Sequence, residues 1–198
     1  SVPGVYVQEE DGYGLRPNIG MRGTGTGRND KISVMEDGVL VAPAPYSAPS
    51  AYYFPTMGRM ESIEVLKGAA SVKYGPRTTG GVLNLLSRSL PTEPNSSTGM
   101  LDAALGSDGY YKGHAYFAKE KNNTAGLIEV FTYGADGFKD LPVGDDNTGF
   151  EKTDLLLKLG HTFGKNDAHN LELKIKYSDE TSDETYMGLT DADYQATP

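Results

Sequence analysis

The 198-residue sequence contains no cysteine and no long apolar run. The lack of cysteine removes disulfides and thiol chemistry, but it fits a bacterial cell envelope as well as a cytosol. No stretch approaches the ~20 apolar residues of a membrane-spanning helix, and the chain does not open with the charged and apolar regions of a signal peptide. A helical membrane protein is therefore excluded. Membrane-spanning strands are not excluded, because they alternate apolar and polar residues.

Positive charge is scarce as well. The sequence has 18 Lys and Arg against 27 Asp and Glu, which gives a formal net charge of -9 at pH 7. A nucleic-acid surface needs a basic patch, and the cations of this chain are scattered singly. We therefore predict no nucleic-acid partner, whereas an attraction to cationic or metal-bearing ligands stays compatible with the acidic balance.

Catalytic and metal-binding motifs are also missing. The sequence has no Gly-x-Ser-x-Gly elbow, no His-Glu-x-x-His helix and no carboxylate pair in an acid–base frame, so we predict that it is not an enzyme. His114, His161 and His169 lie too far apart for a metal motif. Asp145 and Asp146 lack the spacing of a calcium loop. We predict no metal site and no resident cofactor.

Glycine and proline are abundant, at 25 and 11 residues, and only 37% of the chain is apolar. This composition favours strands and turns over helix bundles. The stretch from Pro91 to Ser97, with two prolines and several small polar residues, separates a glycine-punctuated part from a part with regular alternation. We predict a first domain over residues 1–90, a linker over 91–97 and a strand-rich region over 98–198.

The first part carries local signals for strands and turns. Asp37-Gly38 supplies the positive φ of a tight hairpin, whose arms are Ile32 to Met35 and Val39 to Val41. Between Met60 and Arg88 the pattern predicts four further features. They are a strand from Ile63 to Leu66, a glycine corner at Gly68, a helical turn carrying Ala69, Ala70 and Val72, and a strand from Val82 to Leu86. No side chain in this stretch resembles a reaction centre.

The second part contains five segments of about ten residues, the length of a tilted strand that spans a bilayer. In the last segment the odd positions from Leu171 to Tyr177 are apolar and the even positions from Glu172 to Ser178 are polar. The segment from Leu155 to Leu159 repeats the pattern. The connection from Lys121 to Thr124 is short, whereas the one from Asp136 to Gly149 is long. We predict an antiparallel meander with one apolar and one charged face.

Several short motifs follow one another along the chain. They are Val2-Pro3-Gly4-Val5, Met21-Arg22-Gly23, Val34-Met35-Glu36-Asp37-Gly38-Val39, Ile63-Glu64-Val65-Leu66-Lys67-Gly68, Tyr74-Gly75 and Gly80-Gly81-Val82-Leu83-Asn84. In this order the chain resembles a TonB-dependent outer-membrane receptor of Gram-negative bacteria. The resemblance implies the later part of an α+β plug domain, with a small mixed sheet and short helices. About the first five antiparallel strands of a truncated 22-stranded transmembrane β-barrel would follow.

The resemblance also implies a function and partners. Such receptors import scarce chelates through a pore that the plug gates, with energy passed from the inner membrane by TonB. TonB would bind an N-terminal segment that is absent from this sequence, and outer-membrane lipid would surround the barrel. The stretch from Ala42 to Pro49 is similar to the plug loop of ferric-citrate-type siderophore receptors. The expected cargo is therefore a ferric chelate, either citrate-like or another siderophore.

The candidate ligand residues lie in loops of the first part. Cations offer charge to an anionic chelate, and tyrosines offer apolar area with a hydrogen-bonding tip. The set comprises Arg28, Lys31, Tyr46, Ser47, Ser50, Tyr52 and Tyr53. A solvated loop explains the cations equally well, and packing against a barrel wall explains the tyrosines.

Two further cations have a role by resemblance alone. Arg22 and Lys67 occupy positions where the family places plug cations that pair with carboxylates on the inner barrel wall. Lysine offers such a carboxylate a point charge without the bidentate fork of arginine. The alternatives are a purely structural contact at Arg22 and an ordinary surface charge at Lys67.

A function of another class is a soluble β-rich module that binds carbohydrate or protein. It would explain the meander and the aromatic residues, but not the ordered motifs of the first part. Further alternating strands encoded beyond residue 198 would favour the receptor.

Overall fold

The computed structural model describes residues 2–9, 11–26, 31–41, 53–139, 148–183 and 191–196. The chain forms two compact units, Ser1–Arg88 together with Tyr186–Pro198, and Ser89–Thr185. The division after Arg88 lies just before the stretch that the sequence predicts as a linker, and Ser97 already begins a strand. The first unit also includes helix α1 (Asp191–Ala196), in a region that the sequence assigns to strands.

The first unit contains two sheets. A two-stranded antiparallel sheet joins β1 (Val5–Gln8) and β2 (Asn18–Met21). The second sheet consists of β3 (Ile32–Glu36), β4 (Val39–Leu40), β5 (Met60–Leu66) and β6 (Gly81–Ser87), in the order β4-β3-β6-β5. Strands β3 and β6 are parallel, and the other two pairs are antiparallel. The sheet is therefore mixed, with β6 between β3 and β5.

The predicted hairpin is confirmed between β3 and β4. Its two turn residues have positive φ, 50° at Asp37 and 79° at Gly38, as a two-residue turn between twisted strands requires. A 3₁₀ helix, Met57–Arg59, precedes β5. Another, Ala69–Tyr74, lies where the sequence predicts a helical turn, and it follows Gly68 at φ 90°.

The core of the first unit lies against β3 and β6. Strand β6 is buried along almost its whole length, as its Val-Leu-Asn-Leu-Leu run suggests for a central strand. Its apolar side chains pack with residues from β2, β3 and the segment before β5. The buried cluster is Met21, Ile32, Val34, Phe54, Leu83 and Leu85.

The second unit is the predicted antiparallel meander. Its strands are β7 (Ser97–Leu105), β8 (Tyr111–Lys121), β9 (Thr124–Ala135), β10 (Phe150–Phe163) and β11 (His169–Ser182). Each strand pairs with the next one along the chain. Asn122 and Asn123, both at positive φ, form the tight β8–β9 turn. A 3₁₀ turn, Lys165–Asp167, joins β10 to β11.

Candidate functional site

Gly80 and Gly81, where β6 begins, are the point at which several segments of the first unit meet. A Cβ atom on Gly81, whose φ is +148°, would lie 2.7 Å from the carbonyl oxygen of Leu66 and 2.9 Å from Met21 Sδ. A Cβ on Gly80 would lie 3.0 Å from the carbonyl oxygen of Lys31. These glycines allow β2, β3 and β5 to approach β6 closely at one end of the sheet.

Three predicted functional cations belong to these converging segments. Arg22 follows β2, Lys31 precedes β3, and Lys67 follows β5; all three residues are exposed. The Arg22 amide donates to the carbonyl oxygen of Gly4 at 3.2 Å, and Lys67 Nζ donates to that of Pro3 at 2.5 Å. The structure therefore brings Arg22, Lys31 and Lys67 to the same end of the sheet, although they are far apart in sequence.

The predicted pairing of Arg22 and Lys67 with barrel carboxylates stays a prediction. The Lys67 side chain contacts a backbone carbonyl in the turn before β1. Arg22 has a φ of 54°, in the left-handed region. Arg22 through its backbone amide and Lys67 through its side chain thus attach the residues before β1 to the rest of the first unit.

Among the other candidate ligand residues, the structure describes Tyr53. Its side chain is half-buried, and the next residue, Phe54, belongs to the apolar core. The burial of Phe54 therefore fixes the backbone next to Tyr53. The remaining candidates, Arg28, Tyr46, Ser47, Ser50 and Tyr52, lie outside the described residues.

The opposite end of the same sheet holds a buried ion pair that the sequence did not reveal. Arg59 Nη1 donates to Glu36 Oε1 at 3.0 Å, and Arg59 Nη2 donates to Glu36 Oε2 at 2.7 Å. The two side chains are 0% and 5% exposed. A bidentate pair of this kind is strong and geometrically specific. In the sequence, the signal that could have pointed to this pair is an acidic residue at the end of an otherwise buried strand.

The hairpin turn beside this pair is held by polar side chains. The amide of Ser87 donates to Asp37 Oδ1 at 2.8 Å, and its hydroxyl donates to Asp37 Oδ2 at 2.5 Å. Asn84 accepts from the Gly38 amide and donates to Glu64 Oε2, both at 2.9 Å. Strands β3, β5 and β6 are thereby cross-linked at side-chain level.

In the second unit, the exposed face of the sheet is apolar. Leu101 and Leu105 are 84% and 89% exposed, and across four strands Phe117, Ile128, Leu157 and Ile175 stand opposite one another. The large exposed apolar side chains of the five strands are Leu101, Leu105, Phe117, Ile128, Val130, Leu155, Leu159, Phe163, Leu171, Leu173, Ile175 and Tyr177. A continuous apolar patch of this extent marks a surface that meets an apolar partner.

The other face of this sheet is charged and largely buried. Lys152, Asp154 and Lys158 on β10 are 2%, 1% and 4% exposed. Lys152 Nζ lies 2.8 Å from Glu180 Oε2 on the neighbouring strand. Buried charges require partners, and on this face they lie beside a buried apolar cluster of Ala118, Leu127 and Leu156.

A second buried pair on the charged face joins β8 to β9. His114 Nε2 lies 2.7 Å from Glu129 Oε1. The His114 ring begins a line of aromatic contacts through Phe131, Tyr133 and Phe150, with successive centroids 4.9, 5.4 and 5.1 Å apart. The line runs across three strands toward a cavity of about 190 Å³, which Tyr111, Phe150 and Glu151 help to line.

Among residues 2–9, 11–26, 31–41, 53–139, 148–183 and 191–196, no three His, Cys, Asp or Glu side chains are arranged to hold a metal ion. The same part of the chain has no helix that is long and apolar enough to cross a membrane.

Most of the first unit is similar to a known protein family. A family model described as "TonB-dependent Receptor Plug Domain" matches residues 1–82. The match includes the Gly80–Gly81 junction, the three converging cations and the buried Arg59–Glu36 pair. It ends at the second residue of β6.

Curated relatives match a larger share of the chain. The vitamin B12 transporter BtuB of Photobacterium profundum is 32% identical over 185 residues, which are 92% of this chain and 29% of the relative. BtuB of Vibrio cholerae is 27% identical over 169 residues, or 81% of this chain and 26% of the relative. The chain thus spans less than a third of the length of these relatives.

Solved structures share the fold of both units. The copper transporter OprC matches 90% of this chain and 26% of its own, with a TM-score of 0.68 and 18% identity. The ferric yersiniabactin uptake receptor FyuA of Yersinia pestis also matches 90% of this chain, and 27% of its own, at a TM-score of 0.67 and 19% identity. These relatives are transporters and receptors, not enzymes, and the expectation that the chain has no catalytic function is confirmed.

Proposed function

Since the model of the TonB-dependent receptor plug domain matches residues 1–82, we propose that this chain is part of an outer-membrane receptor that imports a ferric chelate. The homologues are TonB-dependent receptors of the Gram-negative outer membrane. In the whole receptor, the plug would gate the pore of a 22-stranded barrel, of which β7 to β11 are the first strands. TonB would supply the energy through a segment that precedes this sequence.

One observation carries this proposal: a plug domain is followed directly by an antiparallel sheet whose exposed face is apolar. Strand β11 exposes Leu171, Leu173 and Ile175, while Lys174 and Lys176 point to the less exposed face. In water this arrangement would be unfavourable, because each large apolar side chain left exposed forgoes about 1.5–3 kcal/mol of burial. In a membrane the same face meets lipid, as in outer-membrane barrels. A soluble binding module would need a partner to cover this face.

An anionic ferric chelate is favoured by the cations of the plug. Lys31, one of the proposed ligand residues, is exposed at the Gly80–Gly81 end of the sheet, where Arg22 and Lys67, the proposed plug–barrel cations, are exposed as well. Charge-assisted hydrogen bonds from such groups suit carboxylate or other oxyanion ligands. The likeness of Ala42 to Pro49 to the plug loop of ferric-citrate-type receptors points to the same cargo class, and Arg28, Tyr46, Ser47, Ser50, Tyr52 and Tyr53 complete the proposed ligand contacts.

A second candidate cargo is a cobalamin. The relatives that match most of this chain are vitamin B12 transporters. Cobalamin and a ferric siderophore are both bulky metal chelates, but their charge and shape differ. The plug cations therefore distinguish the two candidates, because the affinity of an anionic chelate depends on them and falls with salt.

Uptake by the intact receptor tests the proposal. Cells that carry or lack the gene would be given radiolabelled ferric citrate, ferric enterobactin or cyanocobalamin, each with functional and with deleted TonB. Receptor- and TonB-dependent accumulation of a ferric chelate is expected. If only cyanocobalamin accumulates, the cargo is a cobalamin and not a ferric chelate. Accumulation of no probe, with the receptor present in the outer membrane, would defeat the proposed transport.

A further inference from the structure

The open face of the second sheet changes its charge from one end of the strands to the other. Its middle is the apolar row of Phe117, Ile128, Leu157 and Ile175, which stand opposite one another on four strands. Side chains alternate between the two faces of a strand, so residues two, four and six positions from this row share its face. The charged residues at those positions differ between the two ends.

Toward the β8–β9 and β10–β11 turns, this end of the sheet is basic. Lys119 lies two positions beyond Phe117 on β8, and Lys121 lies four positions beyond it, opposite Thr124. Lys165 belongs to the 3₁₀ turn that follows β10. All three lysines are exposed. We call Lys119, Lys121 and Lys165 the basic end of the open face.

The carboxylates near the basic end are held elsewhere. Glu120 is buried on the other face, and its Oε1 accepts from the Asn123 amide at 2.8 Å. Asp167 Oδ1 accepts from Asn123 Nδ2 at 3.1 Å. Among the residues that the structure describes, none of the three lysines forms an ion pair with a carboxylate. Their charges are therefore available to a partner outside the chain.

Aromatic rings lie between the lysines and the apolar row. His161 Nδ1 is 2.9 Å from Thr124 Oγ1, which sets the orientation of the imidazole. The His161 ring stacks on Phe163 with centroids 5.8 Å apart and an interplanar angle of 11°, and Phe163 lies 5.4 Å from the His169 ring. All three rings are exposed. Amphipathic rings at the edge of an apolar band are typical of the boundary between hydrocarbon and headgroups.

The opposite end of the open face has acidic side chains in place of the lysines. Glu151 on β10 and Asp179 on β11 are exposed there, and Asp183 follows just after β11. The loop after β9 adds Asp136 and Lys139, whose charges cancel. An anionic partner is therefore attracted to the basic end and repelled from the acidic one.

We propose that the basic end binds the phosphate headgroups of anionic phospholipids, while the apolar row meets their acyl chains. The proposal rests on the proposed function, which places the second sheet in the outer membrane. A lysine at this boundary lays its methylene stem along apolar side chains and carries its ammonium group to the headgroup. There it donates charge-assisted hydrogen bonds to the phosphate oxygens. The lipid contact is thus selective for charge at one end of the strands only.

The test identifies the lipid beside each end in the intact receptor. Phe163→p-benzoylphenylalanine places a photoreactive ring at the basic end, and Tyr177→p-benzoylphenylalanine places one near the acidic end, next to Asp179. Each protein is inserted into vesicles of equal parts phosphatidylcholine and phosphatidylglycerol and then illuminated. Mass spectrometry of the cross-linked species gives the ratio of the anionic to the zwitterionic lipid at each position.

The lysines are then removed from the receptor that carries the reporter at position 163. In the triple variant Lys119→Gln, Lys121→Gln and Lys165→Gln, we expect the ratio of phosphatidylglycerol to phosphatidylcholine to fall by about fivefold or more. The same loss should follow from high salt, which screens exposed charges. The matched control, Glu151→Gln with Asp179→Asn, should leave the ratio at position 163 unchanged. Equal thermal midpoints would show that both variants are folded like the wild type.

The outcomes separate this inference from the proposed function. Equal lipid ratios at positions 163 and 177, or an unchanged ratio in the triple lysine variant, would overturn the lipid selectivity while the membrane location stands. Cross-links to protein instead of lipid at both positions would overturn the inference and the outer-membrane location together. Selective cross-linking by a receptor that imports none of ferric citrate, ferric enterobactin and cyanocobalamin would support the inference and defeat the proposed transport.

Discussion

The four-stranded sheet of the first unit and the five-stranded sheet of the second unit differ in where their apolar side chains lie. In the first unit, Val34, Leu83 and Leu85 are buried against one another in a core. In the second unit, Leu101 and Leu171 project from an open face, while Lys152 is almost completely buried. Both sheets follow the period of two that a strand imposes, so the difference lies in what each face meets.

The contrast shows that burial and polarity are separate properties of a strand. The first sheet keeps its apolar side chains away from water, because its central strand β6 is covered on both faces. The second sheet has large apolar side chains on its open face, while Lys152, Asp154 and Lys158 are buried on the other face, where Lys152 pairs with Glu180. One chain therefore contains a sheet with a buried apolar core and a sheet with an exposed apolar face, and each can be tested by substitutions that leave the other unaffected.

The largest expected effect is the loss of a core side chain from the first sheet. Leu85 is fully buried within the core cluster, so Leu85→Ala should destabilise the plug domain by about 2–5 kcal/mol through the cavity that it leaves. Thermal unfolding and limited proteolysis of the intact receptor would measure this. Val72→Ala is the control, because Val72 is exposed in the same unit. Equal effects of the two variants would contradict the core assignment.

A charge on the open face of the second sheet should have the next largest effect. Ile128 is exposed in the middle of β9, between Phe117 and Leu157. If this face meets lipid, Ile128→Lys should cost about 2–4 kcal/mol of folding free energy near the bilayer midplane. Urea titration of the intact receptor in lipid vesicles would measure it, with Ile128→Val as the control. A neutral effect of lysine would mean that water covers this face.

The sequence predicts the elements whose signals are local. Asp37-Gly38 has the backbone freedom of a tight turn, and the alternation from Leu171 to Tyr177 has the period of a strand, so the hairpin and the meander are confirmed. The pattern also separates the two faces of each strand. It does not say which face is exposed, because the same alternation serves a sheet in water or in lipid.

Contacts between distant segments had no such signal. The parallel pairing of Ile32 with Gly81 joins strands almost fifty residues apart, and no local pattern specifies it. The Arg59–Glu36 pair was missed because each residue alone resembles a surface charge, and burial of both depends on β6 lying between β3 and β5. Gly81 belongs to one of the sequence motifs. Only the structure shows why a glycine is required there, because Leu66 and Met21 approach it closely.

The smallest expected change in stability follows from replacing an exposed lysine of the first unit. The two units differ here as well, because a lysine of the second unit is buried. Lys152 is buried in an ion pair with Glu180, whereas Lys67 is exposed and donates to the carbonyl oxygen of Pro3. Lys67→Gln should therefore change the free energy of unfolding by no more than about 0.5 kcal/mol. If the cations at the Gly80–Gly81 junction contact an anionic chelate, the same variant should weaken its binding, and the loss should shrink as salt screens the interaction.

Lys73→Gln is the matched control for this last comparison, because Lys73 is an exposed cation of the same unit that lies over the ring of Tyr74. Titrations of the intact receptor with ferric citrate at low and high salt would measure both variants. A weaker and less salt-dependent affinity in Lys67→Gln, with a wild-type affinity in Lys73→Gln, would place the anion at the junction. Equal losses in both variants would indicate a general charge effect, and unchanged binding in Lys67→Gln with impaired uptake would favour the plug–barrel contact instead.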